Sequence, residues 1–290
     1  MDILIPDAAQ LQKQILIMAE ILSAPFQYSF MINAFLLTAI ISIPSALLSC
    51  YLVLKGWSLM GDAISHSVLP GIIISYLLHI PLLIGAFCSG MICAVASGFL
   101  SENSRIKQDT IMGVVFSGMF GFGIVLYSKV STEVHLDHIL FGNILGLSRE
   151  NLLISFFISA AVTILITLKR QDLLLHTFDP IHARSIGIPV RFLHYGFLAM
   201  VSITIVATLS AVGIILSIGL LIAPGAIAFL LTQRFGQMLI IATIISLLSS
   251  FLGIYISFFI DSAPAPTIIL LLSTFFIGAL IHTNMKLKTN

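Results

Sequence analysis

The feature that most constrains this chain is a succession of apolar stretches, each close to the length that crosses a bilayer. A membrane-spanning helix needs about 20 mostly apolar residues. The candidate stretches are 30–54, 57–79, 81–100, 110–128, 151–168, 192–212, 215–232, 237–259 and 267–284. Only 9% of the 290 residues are charged and 59% are hydrophobic, whereas soluble domains average roughly 25% charged residues. The sequence therefore predicts an all-α, polytopic membrane protein with about eight or nine transmembrane helices.

Lysine and arginine residues concentrate on alternate connections between these stretches. The segments 55–56, 101–109, 169–191 and 233–236, together with the C-terminal end, hold 10 of the 13 basic residues. Because connections rich in lysine and arginine remain in the cytoplasm, we expect an external N-terminus and a cytoplasmic C-terminus. An even number of spans stays open if residues 10–29 insert or if one short span is re-entrant.

The chain reads as one membrane domain with two short flanking segments. Residues 1–29 mix apolar and polar side chains and are expected to lie on the membrane as an interfacial segment. Residues 30–284 form the transmembrane domain, which includes a cytoplasmic segment at about 172–190. Residues 285–290 form a cytoplasmic tail. No internal repeat is visible.

Several classes of function have no support in the sequence. The net charge of +1 provides no basic field for nucleic acid. Cys50, Cys88 and Cys93 lie in apolar runs without a CxxC pair, which predicts small apolar side chains and no disulfide or metal cluster. Neither a GxxxxGK[ST] phosphate loop nor an HExxH motif is present, so ATP hydrolysis and metalloprotease activity are not expected of this chain.

Two ionisable side chains interrupt the second apolar stretch. Asp62 and His66 stand four residues apart, which places both on one face of a helix. In one interpretation they bond to each other or to a neighbouring helix and only fix packing. In the other they form a cation site on a permeation path, because a carboxylate and a neutral imidazole suit divalent manganese, iron or zinc. Two ligands are too few, so this interpretation requires a symmetric dimer with two pairs around one axis.

The residues around this pair suggest a polar, loosened stretch of helix. Ser65 and Ser67 are expected to add polar surface, and the Pro70–Gly71 step is expected to loosen the helix just beyond the pair. Loosened helices at membrane depth are typical of transporter sites.

A second group of polar residues falls on the predicted outer side. His135, Asp137 and His138 lie in the loop 129–150, and Asp261 ends the eighth stretch. They are candidates for an entrance that captures a metal ion. Ordinary solvated loop and interfacial residues would give the same pattern.

The longest predicted cytoplasmic segment carries a helix-start signal. Asp179 precedes Pro180, which is typical of an N-cap followed by proline in the first turn. Ala183 and Gly187 then present a small-residue face that another protein could approach. A simple connection between two spans would explain the segment equally well.

Four motifs resemble a known family. KGWSLMGDAISHSVLPGI, LFGNILGLS, FDPIHARSIGI and SIGLLIAPGAIAFLL occur in the order found in membrane permeases of ABC importers for manganese, zinc and iron. The resemblance runs from about residue 25 to 284 and is nearest to the manganese and iron members.

The resemblance implies a division of labour. Two permease copies would form the path in a bacterial inner membrane, a cytoplasmic ATP-binding subunit would supply energy, and an extracytoplasmic metal-binding protein would deliver the ion. It assigns the metal site to Asp62 and His66, and the ATPase contact to Asp179, Ala183 and Gly187. The metal would be transported cargo, and no permanently bound cofactor is expected. The alternative is an ion-gradient-driven metal carrier that works without an ATPase and uses the pair as a proton relay.

Overall fold

The computed structural model describes residues 20, 22–129 and 149–289. The predicted interfacial segment 1–29 lies mostly outside these residues. A short 3-10 turn at Ala24–Gln27 precedes the first long helix. The helices are α1 Ser29–Lys55, α2 Met60–Leu77, α3 Leu82–Asn103, α4 Gln108–Lys129, α5 Arg149–Leu168, α6 Arg170–Phe178, α7 Pro180–Ser185, α8 Val190–Leu231, α9 Phe235–Ile260 and α10 Pro264–Thr289. The described part of the chain contains no β-strand.

Each predicted span corresponds to a helical segment. Seven helices are long and apolar enough to cross a membrane by length and composition. α2 is not among the seven, because its polar residues lower its hydropathy, and α8 is counted once although it covers two predicted spans. The helical architecture and the approximate number of spans predicted from the sequence agree with the structure.

α8 folds back on itself at Gly213. A straight helix of 42 residues would be about 63 Å long, about twice the hydrocarbon thickness of a bilayer. Gly213 has φ 83° and ψ 174° inside the helix, a conformation open essentially to glycine alone. On either side of it, the ring of Phe197 lies 6.1 Å from that of Tyr51, and the amide of Gly225 donates to Ser49 Oγ. Both halves therefore contact the same end of α1, so α8 is two antiparallel limbs, 190–212 and 214–231.

α1 and α8 form the centre of the bundle. About 72% of the most apolar part of each is buried, against 17% for α4 and 22% for α5 and α10. Peripheral helices with this much apolar exposure need lipid or another protein surface to cover them. The architecture is a central pair surrounded by a shell of more exposed helices.

A serine forms hydrogen bonds to the backbone on either side of the proline in the second limb of α8. Pro224 lies inside the helix and has no amide proton to donate. Ser49 Oγ accepts from the amide of Gly225 at 2.8 Å and donates to the carbonyl of Ile222 at 3.0 Å. A Cβ on Gly225 would lie about 2.6 Å from the backbone of Ser49. The small residues here serve close helix packing.

α2 and α3 cross at very short distance. A Cβ on Gly71 would collide with the carbonyl oxygen of Gly85 and lie 2.6 Å from Ser89 Cβ. Ser89 Oγ also donates to the carbonyl of Ser67 at 2.6 Å. α2 stays helical through Pro70. The expected loosening at Pro70–Gly71 was therefore wrong for this conformation, because α3 packs directly against the weakened turn.

Candidate functional site

Asp62 and His66 form a close pair near the start of α2. His66 Nε2 lies 3.3 Å from Asp62 Oδ1. The four-residue spacing brings the side chains together on one helix face, as the sequence predicted. The carboxylate lies in the first turn of α2, where the helix dipole favours negative charge.

Asp62 and His66 are the accessible side chains on a stretch of α2 that is otherwise buried. The side chains of His66 and Asp62 are 29% and 33% exposed, while every other residue from 60 to 73 is buried. Ser65 Oγ bonds the carbonyl of Gly61, and Ser67 Oγ bonds that of Ile64. Both hydroxyls are buried and satisfied by their own helix, so the expected contribution of these serines to polar surface was wrong.

Aromatic side chains of α4 flank the imidazole. The ring of His66 lies 5.9 Å from that of Phe116 and 5.3 Å from that of Phe120, edge to face. These contacts hold the imidazole against the helix, beside the part of α4 in which Ser117 and Gly118 are exposed. The pair therefore opens along the α2–α4 side of the bundle.

One chain supplies an incomplete ligand set at this place. A carboxylate oxygen and an imidazole nitrogen are suitable ligands for divalent transition metals. Among the described residues, no group of three or more His, Cys, Asp or Glu side chains could hold a metal ion. A site at the pair would therefore need further ligands from water or from another molecule.

The predicted cytoplasmic segment at about 172–190, called the coupling segment from here on, forms two short helices, α6 and α7. Asp179 Oδ1 accepts from the amide of His182 at 2.8 Å, which confirms the N-cap, and Pro180 is the first helical residue. Gly187 has φ 85° and ends the segment in a left-handed conformation that suits glycine. Ala183 is fully buried within the chain. It anchors α7, whereas Ile181 (83% exposed) and Ile186 (55% exposed) point outward.

Comparison with known proteins decides the family. Residues 27–283 match the ABC 3 transport family. The chain belongs to this family. It is a multi-pass membrane permease subunit and not an enzyme, as the sequence predicted.

The permease is similar to known transport proteins over most of its length. It is 54% identical to the chelated iron transport system membrane protein YfeD of Yersinia pestis, over 92% of this chain and 90% of that protein. It is 44% identical to the manganese transport system membrane protein MntB of a Synechocystis strain, over 89% and 84% of the two chains. The solved structure of PsaBC from Streptococcus pneumoniae in complex with Fab superposes with a TM-score of 0.80 at 33% identity, over 90% and 95% of the two chains. The predicted permease fold is confirmed.

A buried histidine that the sequence analysis did not single out joins the coupling segment to the spans. His176, in the last turn of α6, is 6% exposed, and neither ring nitrogen has a hydrogen-bond partner among the described residues. Its ring lies 5.9 Å from that of His194 on α8. Burial, the positive charge of Lys55 and the neighbouring His194 lower the pKa of His176 to about 4. Its imidazole is therefore neutral at physiological pH.

The candidate entrance residues are only partly described. His135, Asp137 and His138 lie outside the described residues. Asp261 caps the C-terminus of α9 with φ 55° and is exposed, at the end of the bundle opposite α6 and α7. Its role at an entrance stays a prediction.

Proposed function

We propose that this permease is the membrane subunit of an ATP-driven importer of divalent manganese or iron, and that two copies of the chain form its path. The relatives named above are described as iron and manganese transport proteins, and the ligand chemistry of the candidate site suits both metals. ATP hydrolysis takes place on a separate cytoplasmic subunit, and an extracytoplasmic protein delivers the ion. Zinc, which accepts the same ligands, is the third metal to test.

The proposal rests on the accessible Asp62–His66 pair, because every other residue of α2 between 60 and 73 is buried. A second copy related by a two-fold axis contributes an identical pair and completes a four-ligand site. The adjacent face of α4 permits close approach, because a Cβ on Gly113, Gly118 or Gly121 would meet nothing within 4 Å. Small residues of this kind allow helices of two chains to pack backbone to backbone.

Coupling to the ATPase runs through α6 and α7. Ile181 and Ile186 offer exposed apolar contacts, and the Asp179 cap and Gly187 fix the two ends of α7. Leu173 of α6 is buried in the same apolar cluster as Met60 and Ala63, which flank Asp62 on α2. Movement of α7 would therefore be transmitted by packed side chains to the helix that carries the site. In this proposal α6 and α7 lie in the cytoplasm, with the C-terminus on the same side.

Release of the ion follows from a change in the site between conformations. A site that held the metal equally tightly throughout the cycle would trap it, so transport depends on different affinities in the outward and inward states. Separation of the two pairs would leave each copy with two ligands and lower the affinity. His66 would then lie against Asp62 alone, as in the arrangement described above.

The test joins two copies of the chain in one polypeptide. Uptake of radiolabelled manganese, iron and zinc is measured in cells that also express the ATPase, with Asp62→Asn and His66→Gln placed in one half only. If both halves supply ligands to one ion, a single altered half should abolish uptake. Asp109→Asn, an exposed carboxylate in the first turn of α4, is the matched control. Half-maximal uptake would indicate independent sites, and unchanged uptake would exclude the pair from the path.

A further inference from the structure

A wide cleft lies at the end of the bundle that contains α6 and α7. Its volume is about 930 Å³, within the upper range of ligand pockets. It is formed where the ends of α1, α6, α8, α9 and α10 meet. It lies at the opposite end of α1 from the outer connections, and Asp62 and His66 do not line it. The metal site therefore leaves this cavity unexplained.

The cleft carries positive charge on one wall. Arg234, in the connection between α8 and α9, and Lys286, near the end of α10, both line it and are exposed. His282 stands four residues before Lys286, on the same face of α10. None of the described lining side chains is acidic. An anionic group complements these basic side chains.

Another part of the lining is apolar and exposed. Phe229 is 53% exposed and Leu231 is 42% exposed, and both line the cleft at the last turn of α8. The ends of membrane helices lie at the boundary between hydrocarbon and headgroups. Anionic and apolar groups stand next to each other there in a phospholipid. A free phosphate would satisfy only the basic wall.

We propose that this cleft binds an anionic phospholipid, with its phosphate between Arg234 and Lys286 and an acyl chain along Phe229 and Leu231. Basic pockets between membrane helices on the cytoplasmic side are suited to such headgroups. The cleft is also lined by Phe178, the last residue before the α7 cap. A bound lipid therefore contacts the coupling segment and fixes the surface that α6 and α7 present. This inference rests on the cytoplasmic placement of α6 and α7 in the proposed function, and it does not depend on which metal the permease carries.

Lipid binding is tested on the purified, delipidated full-length chain by native mass spectrometry. Phosphatidylglycerol, phosphatidylethanolamine and inorganic phosphate are added separately. The variant Arg234→Gln/Lys286→Gln should retain phosphatidylglycerol about 10- to 30-fold less than the unaltered chain. The matched control Arg105→Gln/Lys107→Gln removes the same charge from the exposed connection between α3 and α4 and should change retention less than about twofold.

Three outcomes would overturn the proposal. Equal losses in the two variants would mean diffuse charge attraction, and equal retention of phosphatidylethanolamine would mean non-specific lipid. Displacement of phosphatidylglycerol by millimolar phosphate would mean a simple anion site.

A second measurement does not depend on folding of the charge variant: a photoreactive residue replaces Gln237 in cells that co-express the ATPase. A phospholipid adduct supports the proposal, and a protein adduct assigns the cleft to the partner subunit.

Discussion

Protonation of His176 should release the coupling segment from the membrane spans. Its imidazole is buried between α6 and α8, with His194 and Lys55 as the ionisable groups that act on it. Neither ring nitrogen has a partner among the described residues, so a proton on this ring gains no hydrogen bond in the native state. The neutral form fits the site, and the charged form does not.

The magnitude follows from the two pKa values. An ordinary histidine titrates near 6.5, and the pKa of native His176 is about 4, a difference that corresponds to roughly 3 kcal/mol. Above about pH 6.5 both the native and the unfolded forms are neutral, and the group has no effect on stability. As the pH falls toward 4, only the unfolded form takes up the proton, so the native state is progressively destabilised. At about pH 5 the loss should be roughly 2 kcal/mol.

Thermal unfolding of the detergent-solubilised permease at about pH 7.5 and 5 measures this effect. His176→Leu removes the titrating ring and both unpartnered nitrogens at similar volume. It should equal or exceed the unaltered chain in stability at the higher pH. At the lower pH it should gain roughly 4 °C on the unaltered chain. His182→Leu, exposed on α7, should keep the original pH response. An identical pH response in the His176→Leu variant would refute the reasoning.

Three further predictions concern packing and coupling. Gly213→Ala forces a side chain into a glycine-only conformation and should cost about 1–3 kcal/mol, seen as a lower melting temperature. Gly278→Ala, at an exposed position of α10 where a Cβ would meet nothing within 4 Å, should change the melting temperature little. Ser49→Ala leaves the amide of Gly225 without its buried acceptor and should cost about 1–2 kcal/mol; an unchanged melting temperature would mean that water replaces the hydroxyl. Ile181→Glu should abolish co-purification of the ATPase without changing the stability of the permease, and undiminished co-purification would place the contact elsewhere.

The membrane spans could be predicted because lipid imposes a simple rule. Each span must contain about 20 apolar residues and satisfy its own backbone, and both conditions are visible in sequence. The reversal within α8 was predicted from length for the same reason, as the stretches 192–212 and 215–232. Only the structure shows how tight that reversal is, with helix on both sides of Gly213. The backbone conformation of one glycine leaves no periodic signal in the sequence.

The environment of individual polar residues was harder to predict. The spacing of Asp62 and His66 fixed their common helix face, but their exposure depends on how α4 packs beside α2. The burial of Ala183 and His176 likewise depends on contacts with distant helices. His176 stands in a polar segment between two spans, where a histidine is ordinarily exposed, so nothing local distinguished it. Side-chain burial is a property of the assembled bundle, whereas helix faces are a property of the local sequence.

The exposure of the Asp62–His66 pair limits what can lie against it. Lipid is a costly neighbour, because an ionisable side chain in hydrocarbon costs roughly 2.5–3.5 kcal/mol on insertion scales. A purely structural pair would reduce this cost by burial, yet α2 buries the residues around the pair and leaves these two side chains about 30% exposed. The remaining neighbours are water and a second protein surface. A path at a two-fold interface supplies both at once, which is why the proposed dimer and the proposed metal site depend on the same geometry.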